Sequence, residues 1–227
     1  MGKLSKNILG NPSGAVGKVV FKERGNSVFI GTRPKSYMPG YDTDSINRRK
    51  RFGLTGKFSK AVNSIDVLKI VWDAATPNNI SPFNGIFKAN YHNVAADDVN
   101  STAILTPSVG FKATASSIEI SNTEVTATLD ALGTASEIDT QIETTIVMAA
   151  LVYCKGLLDP NFKEDYFMAF KSDPVIVNLT SSLSFSITLS GTENQIFDKF
   201  SSHKGFLVFV TLDATGNPIR YSNTFVH

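Results

Sequence analysis

An α+β fold dominated by β structure is predicted for this 227-residue chain from three observations. Apolar residues recur with a helical period between about 44 and 92 and with a period of two from about 100 onward. Charge is segregated, because the first 60 residues hold 13 of the 22 Lys and Arg but only 3 of the 20 Asp and Glu. Charged residues make up 19% of the chain, below the usual quarter or so, and Ser, Thr and Asn crowd its second half, a composition suited to strands and broad contact surfaces. The expected organisation is a basic N-terminal arm with a β-hairpin over 1–41, a short helical segment over 42–98, and an antiparallel β-sandwich of immunoglobulin-like (Ig-like) type over 99–227.

Residues 1–16 are rich in Gly, Asn, Ser and Pro and predict an extended arm. Two β-rich runs, Lys18 to Glu23 and Ser27 to Gly31, flank Gly25-Asn26 and predict a hairpin, since these two residues accept the positive φ of a tight turn. Thr32 to Tyr41, with Pro34, Pro39 and Gly40, predicts a linker. Asp42 to Ser45 supply N-cap chemistry before a helix from Ile46 to Val62. On that helix Leu54, Phe58, Ala61, Val62 and Ile65 fall on one arc, with Arg49, Lys50, Lys57 and Lys60 on its flank. Ser64 is placed to cap a second helix through Val67, Leu68, Ile70, Val71 and Trp72, apolar nearly all round and so expected to be buried. Ser81-Pro82 opens a third helix toward Tyr91.

Strands are predicted at Ser117–Ser121 and Glu124–Leu129, joined at Asn122-Thr123, and at Leu183–Ser190, where the alternation is complete. Ile146–Cys154, Tyr166–Phe170, Val175–Leu179, Phe206–Leu212 and Ile219–Phe225 complete the set. The capping-box spacing of Thr192 to Gln195 predicts one short helix between strands.

Little in the chain has the pattern of catalysis. The run Gly10 to Lys18 departs from a phosphate loop: Pro12 stands where glycine is needed, Val19 replaces the magnesium-holding hydroxyl, and a strand follows. Cys154 is the only cysteine, which excludes a disulfide within the chain and a cysteine-based zinc site, and its apolar surroundings predict a buried structural thiol. His92, His203 and His227 lack metal-ligand spacing, and no Gly-x-Ser-x-Gly elbow occurs. Asp97-Asp98 has the character of a polar turn. No signal peptide or run of about 20 apolar residues is evident, so a protein made in the cytoplasm without a membrane partner is expected. No catalytic, cofactor-binding or metal-binding residue is assigned, and no cofactor is expected.

The chemically most pronounced feature is Arg48-Arg49-Lys50-Arg51. Cations in a first helical turn oppose the helix dipole, so four of them there favour a phosphate-bearing or acidic partner over simple solvation. No aromatic residue interleaves with the run as in a single-strand-binding platform, and no groove-reading module is present. Nucleic-acid contact is therefore expected to be weak, non-specific and salt-sensitive.

The succession Gly14-Ala-Val-Gly-Lys-Val-Val-Phe21, then Arg33-Pro34, Asn47-Arg-Arg-Lys-Arg-Phe52 and Phe58-Ser-Lys-Ala61 resembles a family from Bacteroidota genomes and their phages, and Leu212 to Asn223 is similar to that family's last hairpin. The resemblance implies a Gly-Lys-Val hairpin, an Arg-Phe helix and a β-rich C-terminal domain, and carries over no catalytic residue. With the charge pattern it leads to the expectation of a non-enzymatic structural subunit of a bacteriophage virion, capsid-associated or in the tail or connector. Such a protein would form homo-oligomers or bind other virion proteins. Lys18, Lys22, Arg24, Arg33 and Arg48 to Arg51 are the expected charged contacts, and Val19, Phe21, Val28 and Phe29 the apolar ones. The alternatives are a nucleic-acid-binding accessory protein using the same cations and a ligand-binding β-sandwich module.

Overall fold

The computed structural model describes residues 2–3, 14–24, 27–33, 39–77, 79–159 and 164–227. Two compact units make up the chain, 1–46 and 47–227. In the first, strands β1 (Gly2–Lys3), β2 (Gly14–Val16), β3 (Val19–Arg24) and β4 (Ser27–Thr32) form an antiparallel sheet in the order β1-β4-β3-β2. The expected hairpin is β3–β4, with Phe21 opposite Ile30 and Arg24 opposite Ser27. Its turn residues, Gly25 and Asn26, lie outside the described residues, as do 4–13 of the expected arm and 34–38 of the linker.

The described parts of the arm are strands rather than free chain. Val16 pairs directly with Val19, so Gly17-Lys18 is a two-residue hairpin turn, and Gly17 supplies the positive φ of 59° that it requires. Gly2 and Lys3 pair with Ile30 and Phe29 at the other edge.

Helix α1 (Thr43–Ser64) is capped by Asp42, whose Oδ1 accepts from the Ser45 amide at 2.8 Å. It buries Leu54, Phe58 and Val62, with Ile65 buried just beyond its end, while Ala61 is half-buried. Thr55 and Ser59 join this buried stripe at no polar cost, because their hydroxyls donate to the Arg51 and Thr55 carbonyls at 2.7 Å. Helix α2 (Asp66–Ala75) has Ile65 at its N-cap without a side-chain cap, and the Ser64 hydroxyl instead donates back to Ala61 O. It buries Val67, Leu68, Val71 and Trp72 but leaves Ile70 exposed. Helix α3 (Pro82–Asn90) starts as expected, with Ser81 accepting from the Asn84 amide and proline in the first turn. Asn90 is fully buried and satisfied: its Nδ2 donates to Ile86 O and Ile104 O, and its Oδ1 accepts from Ile104 N.

The remaining chain is antiparallel sheet. Strands β5 (Ala115–Ile120), β6 (Glu124–Leu129) and β10 (Leu183–Thr188) form a three-stranded sheet in the order β10-β6-β5. Strands β7 (Thr145–Leu157), β8 (Tyr166–Lys171), β11 (Phe200–Leu212) and β12 (Pro218–Tyr221) form a larger one in the order β12-β11-β7-β8, with β9 (Val175–Ile176) paired to β7 and β13 (Phe225–Val226) to β11. Helix α4 (Gly191–Phe197) leads into β11, and its capping box is Ser190 with Glu193, two residues before the expected Thr192.

Strand β7 explains the architecture. Its apolar run does not alternate because both faces are covered: Ile146, Met148, Ala150, Val152 and Cys154 join a core shared with β6 and β10, while Val147, Ala149, Leu151 and Tyr153 join a core shared with α1, α2 and α3. Residues 47–227 thus stack helices, a central sheet and a small sheet. Phe58 is the joint between helix and sheet, wholly buried and edge-on to Phe167 at 6.0 Å and Phe206 at 5.8 Å. On the other side Gly205 of β11 allows close approach, since a Cβ there would run into Ile120 Cδ1. Two central-strand amides are satisfied by buried serines, Met148 N by Ser172 Oγ at 2.9 Å and Phe209 N by Ser222 Oγ at 3.0 Å.

Candidate functional site

The expected contact residues fall into two groups. In the N-terminal sheet, pairing places Val16, Val19, Phe21, Val28 and Ile30 on one face, and Val20, Lys22 and Phe29 on the other. Val28 is buried, Val19, Phe21 and Phe29 are half-buried, and Val16 keeps 69% of its surface exposed. Lys18 and Lys22 are exposed, and so is Arg33, whose amide donates to Lys18 O at 2.7 Å. Arg24 ends β3, and its side chain is outside the described residues.

The second group lies on α1. Because the helix starts at Thr43 instead of Ile46, the run Arg48 to Arg51 occupies its second and third turns. The helix dipole acts within the first turn, where Asp44 and the Asp42 cap complement it, so the expected dipole penalty on these cations does not arise. Arg48, Arg49 and Lys50 are exposed. Arg51 is half-buried, with its guanidinium carbon 5.9 Å from the centre of the Tyr91 ring. From Ser45 to Ile65 the chain carries six Lys or Arg and no acidic residue. Lys57 is ion-paired with Glu164, which holds the glutamate carboxyl below its usual range.

Beside the cations runs an aromatic row that sequence reasoning missed. Phe52, 62% exposed, meets Phe87 of α3 at 4.9 Å between ring centres. Phe87 stacks on Tyr91 at 5.8 Å and touches Phe83 at 6.3 Å, and Tyr91 meets His92 edge-on at 5.4 Å. The signal was present as an aromatic at every fourth position, 83, 87 and 91, one residue out of phase with the buried Ile86 and Asn90.

Several groups that could carry chemistry are engaged in structure. Cys154 is fully buried, and burial pushes its thiol up to about 12, with Asp165 adding to the shift. The Tyr153 hydroxyl donates to Asp165 at 2.6 Å and is pushed up by burial first and by that carboxylate second. His203 stacks on Phe197 with its Nε2 3.0 Å from Phe197 O, and Asp98 pairs with Lys204 at 2.9 Å. Glu143, almost fully buried, accepts from Thr211 Oγ1 at 2.5 Å and from the Asp139 amide at 3.2 Å, with Arg220 Nε 3.4 Å away. Among the described residues no group of three or more His, Cys, Asp or Glu comes together as a metal site would require. No protein-family model matches this chain, and no curated protein matches it either.

Proposed function

We propose that this chain is a non-enzymatic structural subunit of a large assembly, a bacteriophage virion protein that is capsid-associated or part of the tail or connector. Its basic N-terminal region would bind neighbouring copies or other virion proteins, and its β-rich body would serve as an Ig-like sandwich module in the particle. The observation that carries this reading is the N-terminal sheet. Among the described residues of 1–46, Val28 is the one apolar side chain that is buried, while Val16, Val19, Phe21 and Ile30 share its face and stay partly or largely accessible. A sheet of four short strands with so small a core is marginal alone. Covering that face with another subunit would contribute on the order of 1–2 kcal/mol per side chain. Charge favours the same role, since residues 1–60 carry a net +10 and residues 61–227 a net −8, so copies of this chain attract one another in unlike orientation.

Deletion of residues 1–34 tests the proposal. Light scattering and circular dichroism should find the shortened protein folded and monomeric, and particle reconstitution should leave it in the supernatant where the full chain sediments. Full-length protein that stays monomeric and enters no particle would overturn the reading.

A further inference from the structure

We propose that the outer face of α1 and α3, centred on Phe52, binds single-stranded nucleic acid without sequence preference. This goes beyond the assembly role, since it assigns the cations of α1 to a ligand other than a neighbouring subunit and adds an aromatic row to them. Three observations carry it. The first is the aromatic row: Phe52, Phe87 and Tyr91 are linked ring to ring at 4.9 and 5.8 Å, and Phe52, at its end on α1, is the most exposed of them. Phe52 keeps 62% of its surface accessible, so one side of it is available to a partner. The second is the charge around it. Arg48 and Arg49 precede Phe52 by four and three residues and so share its side of the helix, Arg51 covers Tyr91, and Lys88 follows Phe87 on α3.

The third observation is the backbone beside the ring. Gly53 and Gly56 lie inside α1, where each costs about 1 kcal/mol relative to alanine. A Cβ at either position would meet nothing within 4 Å, so the fold itself does not require glycine there. Bare helix next to an exposed ring leaves room for a partner to come within contact of the backbone.

An acidic protein surface would answer the cations but not the rings. Single-stranded nucleic acid answers both, because its phosphates pair with Arg and Lys while its unpaired bases stack on aromatic faces. A duplex keeps its bases stacked on one another, so the surface should discriminate against it.

Fluorescence anisotropy of the full-length protein with a labelled oligo-dT of roughly 20 nucleotides tests the proposal. Wild type should bind it and bind a duplex of equal length more weakly. Phe52→Ala should weaken oligo-dT binding at least about fivefold, and Phe52→Trp should retain it. Arg49→Gln should lower the slope of log affinity against log salt by about 0.7. Because Phe52 is exposed, the Phe52→Ala protein should keep the wild-type circular dichroism spectrum and urea midpoint, which separates lost binding from lost folding. Equal binding by wild type and Phe52→Ala would mean simple attraction of a polyanion and overturn the proposal. So would an absence of oligo-dT binding with Phe52→Ala disrupting self-association instead, which would make this face a protein interface.

Discussion

Replacing Phe58 with alanine removes the side chain that joins the helices to the central sheet, and the loss can be sized from its surroundings. The ring is wholly buried and lies edge-on to Phe167 and Phe206 at 6.0 and 5.8 Å. Truncating a buried phenylalanine costs about 3–5 kcal/mol, and two edge-to-face partners argue for the middle of that range or above, about 4 kcal/mol. With a urea slope of about 2 kcal/mol/M, the midpoint falls by about 2 M. For a unit of this size Tm falls by about 8–16 °C. Trp72, the only tryptophan, is buried in α2 and reports on the helices, while the thiol reactivity of Cys154, the only cysteine and buried on β7, reports on the central sheet. If helices and sheet share one core, both probes must shift together. A tryptophan transition that moves alone, or a midpoint change below about 0.5 M, would refute the single-core reasoning.

Cys154 should resist Ellman's reagent in the folded protein at pH 8, because burial first and Asp165 second push its thiol up to about 12, and one equivalent should react in guanidinium. Rapid reaction of the native protein would show that β7 opens or that its core is looser than described. Asp213 turns the β11–β12 connection: Thr215 Oγ1 donates to it at 2.7 Å, and the Thr215 and Asn217 amides at 2.8 Å, which lowers its carboxyl from 3.8 to about 2. A depressed folded value means that the stabilisation is present above pH 3.8 and is lost as pH falls through about 2. The stability gap between wild type and Asp213→Asn should therefore narrow between those limits in urea titrations, and a constant gap would refute the assignment.

The sequence announced whatever depends on neighbours along the chain. The stripe Leu54, Phe58, Val62 and Ile65 is buried as its spacing predicts, the β3–β4 and β5–β6 hairpins form, and Leu183 to Thr188 alternates buried and exposed. Distant packing was hidden. The run Ile146 to Cys154 is equally compatible with a buried strand of any sheet, and only the three-dimensional arrangement shows helices on one face and strands on the other. The exposed Ile70 was unreadable for the same reason, since α2 is apolar on more sides than it has neighbours to cover. Gly14 to Val16 lacked the apolar alternation of a strand, and the positive φ of Gly17 turned it back onto β3. The candidate surface was half visible. Arg48 to Arg51 stand out in any scan for charge, but the rings that flank them come from 31 to 39 positions beyond Phe52, and the test for aromatics within the basic run could not find them.

The two surfaces obey different physics, and this makes them separable in one preparation. The N-terminal sheet offers Val16, Val19, Phe21 and Ile30, and burial of such side chains is not screened by salt and is strengthened by excluded salts such as sulfate. The α1–α3 face offers cations to phosphates, and its affinity must fall steeply as counterions compete. Both faces of β7 are sealed by packing, so neither partner can reach the central sheet without unfolding a layer. If both proposals hold, the chain binds its neighbours through one end and keeps the helical face for a charged, planar ligand. Rising salt should strip nucleic acid from that face while contacts through the apolar sheet persist. If both were lost at the same salt concentration, the neighbour contact would be electrostatic too. The attraction between the basic first 60 residues and the acidic remainder would then be the main force holding copies together.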